Sequence, residues 1–240
     1  MYKRSARYYD ALYSSKDYAA EVRRVEEAFG RCGVGPGAAV LDVACGTGGH
    51  IQHLHPTYRV EGLDLAPEML AVARQRFPDL PLHQADMTEF DLGRQFDALL
   101  CLFSSIGYVR TLPRLRRTLR TFARHLRPGG VALVEPWFAP HEWRPGTVHA
   151  SWVDEPELKI ARINLSEQRG RLSVFVLHHL VGTPQGVEQF AERHEMGLFT
   201  HPEYQEAFKE ACLTVEHDAQ GLTGRGLYMG QKPLSAAQGV

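Results

Sequence analysis

The run Ala39-Val40-Leu41-Asp42-Val43-Ala44 leads without interruption into Cys45-Gly46-Thr47-Gly48-Gly49. A short apolar run carrying a single acid predicts a strand buried on both faces, and such strands belong to parallel sheets covered by helices. The glycines that end it predict a tight turn into a helix. In a doubly wound sheet that turn lies at the carboxyl edge, where small ligands bind.

The rest of the first half fits that frame. A helix is predicted over 16–29, where Ala19, Val22, Val25 and Phe29 recur at helical spacing, and Gly33-Val34-Gly35-Pro36-Gly37 ends it. Further strands are predicted at 59–65, 81–87 and 96–103, with a helix opened by Pro67 between the first two. Leu112, Leu115, Leu119, Phe122 and Leu126 form the apolar stripe of a helix over 111–127. Pro128-Gly129-Gly130 is expected to stop it, with a fifth strand starting at Val131. Strands alternating with helices imply right-handed crossovers and a parallel sheet.

After Trp137 the pattern changes. Alternating stretches at 159–165, 172–180 and 187–196, separated by turn residues, predict an antiparallel meander. A helix over 202–212 and strands at 213–217 and 226–231 then close the domain, and the last residues, 234–240, are expected to fray. The expected organisation is a cofactor half over 1–137 with N-terminal helices, a β insertion over 138–200 covering the acceptor site, and a closing segment over 201–240.

A glycine turn alone suits several cofactors. The spacing here is A-C-G-T-G-G, with Ala44 in the first glycine slot of a dinucleotide loop. Asp64 ends the second strand 18 residues beyond Gly46, where a carboxylate can accept both ribose hydroxyls of an adenosine. Asp86-Met87 ends the third, where an acid can take an adenine amino group and a methionine can cover the ring. A nicotinamide dinucleotide site shares only the loop and the ribose acid.

DVACGTGGH, GLDLAPEML, HQADM and LRPGGVALVEPW resemble the successive motifs of class I S-adenosylmethionine-dependent methyltransferases. KDYAAE (16–21), MLAVARQR (69–76), FSSIGY (103–108), VEPWF (134–138), LFTHPEY (198–204) and GRGLYMG (224–230) are similar to the N,N-dimethyltransferases of nucleotide-linked amino sugars, of the desosamine and mycaminose type. The resemblance implies a Rossmann-like, seven-stranded, mostly parallel sheet whose last strand is antiparallel, with an antiparallel β insertion after the fifth strand. It implies S-adenosyl-L-methionine as cofactor, held by Tyr9, Tyr18, Asp42, Ala44, Gly46, Gly48, Asp64, Leu65, Met69, Asp86, Met87 and Leu102. Ser105 and Tyr108 would face the methyl acceptor and act in catalysis, Arg225 would meet a diphosphate, and Tyr2 would touch the substrate. A guanidinium fork matches phosphate oxygens, and tyrosine orients an amine better than it deprotonates one near neutral pH. The acceptor is expected to be a small-molecule amine. A hydroxyl or amino-acid acceptor, or cofactor binding without catalysis, stays open on the residues alone.

Composition bears on the partners. Net charge is −1 and arginine outnumbers lysine 22 to 5, so the arginines of the 111–127 helix are read as the default surface cation, with no nucleic-acid partner. Four scattered cysteines, Cys32, Cys45, Cys101 and Cys212, form no metal or disulfide pattern, and His50, His53 and His55 are expected on a solvated or partly buried helix face with no metal. No apolar run reaches the ~18–20 residues that span a bilayer. A cytoplasmic protein without membrane contact is expected, and the sheet edge of the insertion suggests a homodimer.

Overall fold

The computed structural model describes residues 2–234, so 235–240, most of the stretch expected to fray, lie outside the described residues. A 3₁₀ turn at Arg4–Tyr8 leads into α1 (Tyr9–Leu12) and α2 (Tyr18–Arg31). Asp17 caps α2, its Oδ1 accepting the Ala20 N–H at 2.8 Å, and the helix buries Val22, Val25 and Phe29. Then come β1 (Ala39–Val43), α3 (Ile51–Leu54), β2 (Arg59–Asp64), α4 (Pro67–Arg76), β3 (Leu82–Gln84) and β4 (Phe96–Cys101). A 3₁₀ turn at Ser105–Val109, α5 (Leu112–His125) and β5 (Leu126–Val134) complete the first half.

These strands and the two at the chain end form one seven-stranded sheet, ordered β10-β11-β5-β4-β1-β2-β3. β10 (Thr214–Asp218) follows α6 (His201–Glu210), and β11 (Leu227–Gln231) runs antiparallel to both of its neighbours. β1 is buried at every position, as its apolar run requires. One core layer joins α5 and α6 to the sheet through Leu119, Phe122 and Phe208, and the other joins α2 and α4 through Val25, Phe29 and Leu70. This is the class I methyltransferase fold. No helix among the described residues is long and apolar enough to cross a membrane.

The insertion is a second, antiparallel sheet in the order β6 (Val148–Glu155), β7 (Leu158–Arg169), β8 (Leu172–Thr183) and β9 (Gly186–Gly197). It has four strands where the alternation predicted three. β6, VHASWVDE, buries only Val153, so it carries no apolar period of its own and is held by its ladder to β7. β5 also departs from expectation. It starts at Leu126 rather than Val131, and Arg127-Pro128-Gly129-Gly130 forms a bulge across which the pairing with β4 shifts. Lys232 closes that bulge, donating its N–H to Gly130 O and accepting that of Gly129.

The arginines of α5 meet carboxylates: Arg114 with Asp86, Arg116 with Glu206 and Glu210, Arg117 with Glu89. The N-terminal segment lies across the insertion. Glu192 accepts the Lys3 N–H and binds Ser5, while Glu188 binds Arg4, Arg7 and Tyr8.

Candidate active site

The loop after β1 turns through left-handed backbone at Ala44, Gly46 and Gly48. Glycine serves two different purposes there. A side chain on Gly49 would start 2.5 Å from the Tyr18 ring, and one on Gly48 would start 2.6 Å from Phe77. The N–H of Gly48 is already given to Cys45 O. Gly48 thus makes room for the packing of Phe77 at the end of α4. Gly49 leaves room for Tyr18, whose ring also meets His50 edge-on at 4.9 Å.

His50 is buried. Its Nε2 lies 2.8 Å from Glu21 Oε2, and Lys16 binds the other oxygen. Burial pushes the Glu21 carboxyl upward, but these two partners outweigh it and hold it below its ordinary value. This buried cluster fixes α2, and with it Tyr18, against the loop.

Two narrow cavities flank the loop. The first is lined by Ala44, Gly46, Asp64, Leu65, Met69, Asp86 and Met87, together with Tyr2, Tyr9, Ser105 and Tyr108. Asp64 accepts the N–H of Gly46 through one oxygen and that of Ala66 through the other, both at 2.8 Å. Burial nevertheless raises its carboxyl above the ordinary range. Asp86 is half-buried. Burial raises its carboxyl too, but the Thr88 N–H and the Arg114 guanidinium, each 2.8 Å away, bring it below the usual value.

The second cavity is lined by Tyr9, Tyr18, Asp42, Ala44, Gly46, Leu102 and Ser105. Burial raises the Asp42 carboxyl to about 6, with the charge of Asp64 adding to the effect. Its Oδ2 is buried and accepts no hydrogen bond among the described residues. A lone buried carboxylate oxygen beside a cavity is expensive unless a donor meets it, and an α-ammonium group is such a donor. The residues present thus fit the amino-acid end of S-adenosylmethionine, and the first cavity fits its adenosine.

A larger cavity, about 560 Å³, lies between the loop and the inner face of the insertion. Ser105, Tyr108 and Arg225 all line it, as do Tyr2 and Tyr9. Arg225 makes no ion pair among the described residues. Its Nη1 donates to Ser104 Oγ at 3.1 Å, and its guanidinium lies 5.4 Å from the Trp137 ring centre and 5.3 Å from that of Phe138. Ser104 is pinned in turn, its hydroxyl donating to Pro136 O at 2.7 Å. The aromatic wall of Trp137, Phe138, Trp143 and Phe175 had no periodic signal in the sequence. His194, placed near the acceptor side only by its position in the chain, lies with Nδ1 2.7 Å from the Tyr108 hydroxyl. The β8–β9 pairing of Phe175 with His194 is the long-range fact that sequence reading lacks.

Tyr9 and Ser105 line all three cavities, so the three adjoin at these side chains. Residues 40–130 match the model of a methyltransferase domain. Fold, loop and cavities together define a methyltransferase that draws on S-adenosylmethionine. A dTDP-3-amino-3,6-dideoxy-alpha-D-glucopyranose N,N-dimethyltransferase of Streptomyces fradiae is 44% identical over 80% of this chain and 76% of its own length. The crystal structure of Streptomyces venezuelae DesVI superposes with a TM-score of 0.88 at 40% identity, covering 97% of this chain and all of that one. SAM-bound CalS10, an amino pentose methyltransferase of Micromonospora echinaspora, gives 0.82 at 33% identity, covering 97% of this chain and 98% of that one. The chain belongs to the family of dTDP-amino-sugar N,N-dimethyltransferases.

Proposed function

We propose that this enzyme methylates the amino group of an amino sugar carried on a nucleoside diphosphate. The observation that carries the reading is the meeting of all three cavities at Tyr9 and Ser105, beside an acceptor cavity that holds an arginine with no carboxylate partner among the described residues. When bound, the cofactor supplies a sulfonium methyl as the electrophile for in-line displacement. Asp64 takes the ribose hydroxyls, Asp86 and Met87 the adenine, and Asp42 the ammonium, with Gly46, Leu65, Met69 and Leu102 shaping the walls. Tyr9 and Tyr18 present aromatic faces toward the cationic end. Ser105 and Tyr108 hold the amine with its lone pair toward the methyl, Tyr2 closes the pocket, and Arg225 meets the diphosphate. Positioning of this kind can supply most of the acceleration when the cofactor carries the reactive group.

Arg225→Ala tests the acceptor assignment. The KM for a dTDP-amino sugar is expected to rise about 10- to 100-fold, the weight of charged hydrogen bonds. The KM for S-adenosylmethionine should stay within about twofold of wild type, since Arg225 lies outside both narrow cavities. Equal KM values in variant and wild type would remove the diphosphate from this site. Absence of turnover by the wild-type enzyme on any nucleotide-linked amino sugar would remove the reading as a whole.

We further propose a homodimer built on the outer face of the insertion, working in the cytoplasm, where the four unpaired cysteines stay reduced. Strand register places Val148 beside Leu165 and Trp152 beside Ala161 and Leu180 on that face. Val148, Trp152 and Val187 are 68%, 69% and 74% exposed, an apolar area that a second copy would cover. Light scattering should give twice the 27.0 kDa chain mass, and Trp152→Glu should shift it toward the monomer. A wild-type 27.0 kDa species at micromolar concentration would rule the dimer out.

A further inference from the structure

Methylating an amine leaves a proton to be disposed of. The nitrogen lone pair forms the N–C bond, the C–S bond breaks with its electrons on sulfur, and the product nitrogen is an ammonium. That proton must leave before the same nitrogen can attack a second methyl group. The side chains shared by the first cavity and the acceptor cavity are Tyr2, Tyr9, Ser105 and Tyr108. None is a base near neutral pH, and burial raises all three tyrosine hydroxyls further.

Tyr108 leads to a base. Its hydroxyl lies 2.7 Å from His194 Nδ1, and the imidazole stacks on Phe175 with ring centres 5.4 Å apart and planes 4° from parallel. His194 Nε2 is buried and has no hydrogen-bond partner among the described residues. Tyr108 and His194 also line a separate cavity of about 240 Å³, with Arg110, Arg193 and Glu195. Glu195 binds Arg110 at 3.3 Å and Arg193 at 2.8 Å, so this cavity lies among charged groups.

We infer that Tyr108 and His194 form a proton outlet from the acceptor cavity to this outer cavity, used once for each methyl group transferred. It rests on the amine acceptor proposed above. The ammonium N–H breaks as the Tyr108 oxygen takes the proton, while the proton of Tyr108 passes to His194 Nδ1. The imidazolium then gives up one proton toward the outer cavity that His194 lines. Loss of that single proton restores the neutral ring, and no electrons change hands.

Burial brings the imidazole down to about 4, with the Glu192 charge opposing and His179 and Arg162 assisting. The ring is therefore neutral and ready to accept at neutral pH.

His194→Gln keeps a hydrogen-bond partner for Tyr108 but carries no proton, and His194→Phe keeps the stack on Phe175. Both are assayed with S-adenosylmethionine and a dTDP-amino sugar, with S-adenosylhomocysteine binding and circular dichroism as checks on folding. In each variant kcat is expected to fall on the order of 10- to 100-fold with both KM values close to wild type. Monomethylated product should accumulate, and added imidazole should restore the rate in proportion to its concentration. Wild-type turnover should not depend on buffer concentration. A wild-type rate and product ratio in either folded variant, or a lost rate that imidazole does not restore, overturns the outlet. If neither variant folds, Tyr108→Phe breaks the same route from its inner end, and wild-type kcat with fully dimethylated product there overturns it equally. A wild-type enzyme inactive on every amine would sink the functional reading instead.

Discussion

Gly221→Ala is expected to lower the melting temperature by roughly 5–15 °C, from a destabilisation of about 2–4 kcal/mol. Gly221 sits at φ +54°, and a Cβ built on it would lie 2.4 Å from the carbonyl carbon of Gly226 and 2.5 Å from its oxygen. The obstacle is backbone, so no rotamer change relieves it. Gly226, at φ +87°, is held in turn by the His217 ring, 2.6 Å from where its own Cβ would be. The loop between these glycines carries Thr223, whose hydroxyl donates to Glu135 at 2.7 Å, and Arg225. Opening the loop should therefore also raise the KM for the acceptor more than that for the cofactor. Gly224→Ala is the control. It has a similarly left-handed φ of +86° but open space around it, so it should cost only the ~1–2 kcal/mol of the backbone conformation. Equal melting temperatures for the two variants would show that the Gly221–Gly226 approach does not hold this loop. Thermal denaturation followed by circular dichroism settles the comparison.

Asp64→Ala should weaken S-adenosylhomocysteine binding by roughly 10²–10³-fold, or about 3–4 kcal/mol. Two effects add. The Gly46 and Ala66 N–H groups lose the oxygens that hold them at 2.8 Å, so the loop relaxes in the free enzyme. The first cavity also loses its one deeply buried carboxylate, the acceptor proposed for the ribose hydroxyls. Asp86→Ala should do less, about tenfold. That carboxylate is half-buried and already neutralised by Arg114, so less desolvated charge is at stake. Calorimetric titration measures both, and unchanged affinity in folded Asp64→Ala would move the adenosine out of the first cavity.

The α/β half was legible because its strands are buried and its helices amphipathic. β1 reads as apolar because both its faces are covered, and α5 shows its stripe because only one of its faces is. Local pattern failed where partners lie far along the chain. β6 has no period of its own because seven of its eight residues stay at least partly exposed. The partner of His50 had no local signal, because Glu21, 29 residues earlier, comes within 2.8 Å of it only in the fold. His194 had no meaning before the pairing that sets it against Phe175 and the turn that sets Tyr108 against it. The contact of Gly48 with Phe77, 29 residues later, likewise has no local signal. At the loop the chemistry showed in residue types at strand ends. At the acceptor it depends on walls drawn from four separate parts of the chain, which no spacing rule connects.

The position of Tyr9 and Ser105 on all three cavities has a consequence for how such an enzyme can diverge. The two cavities proposed for the cofactor are built mainly by residues within 40–130, the span matched by the methyltransferase-domain model, while the far wall of the cavity proposed for the acceptor belongs to the insertion. Mutations in the insertion can accumulate and select a new acceptor without disturbing the donor. Those at the seam of Tyr9 and Ser105 alter both partners at once. Inheritance should therefore be conservative along the seam and inventive beyond it, with one half of the gene drifting slowly and the other sampling new sugars.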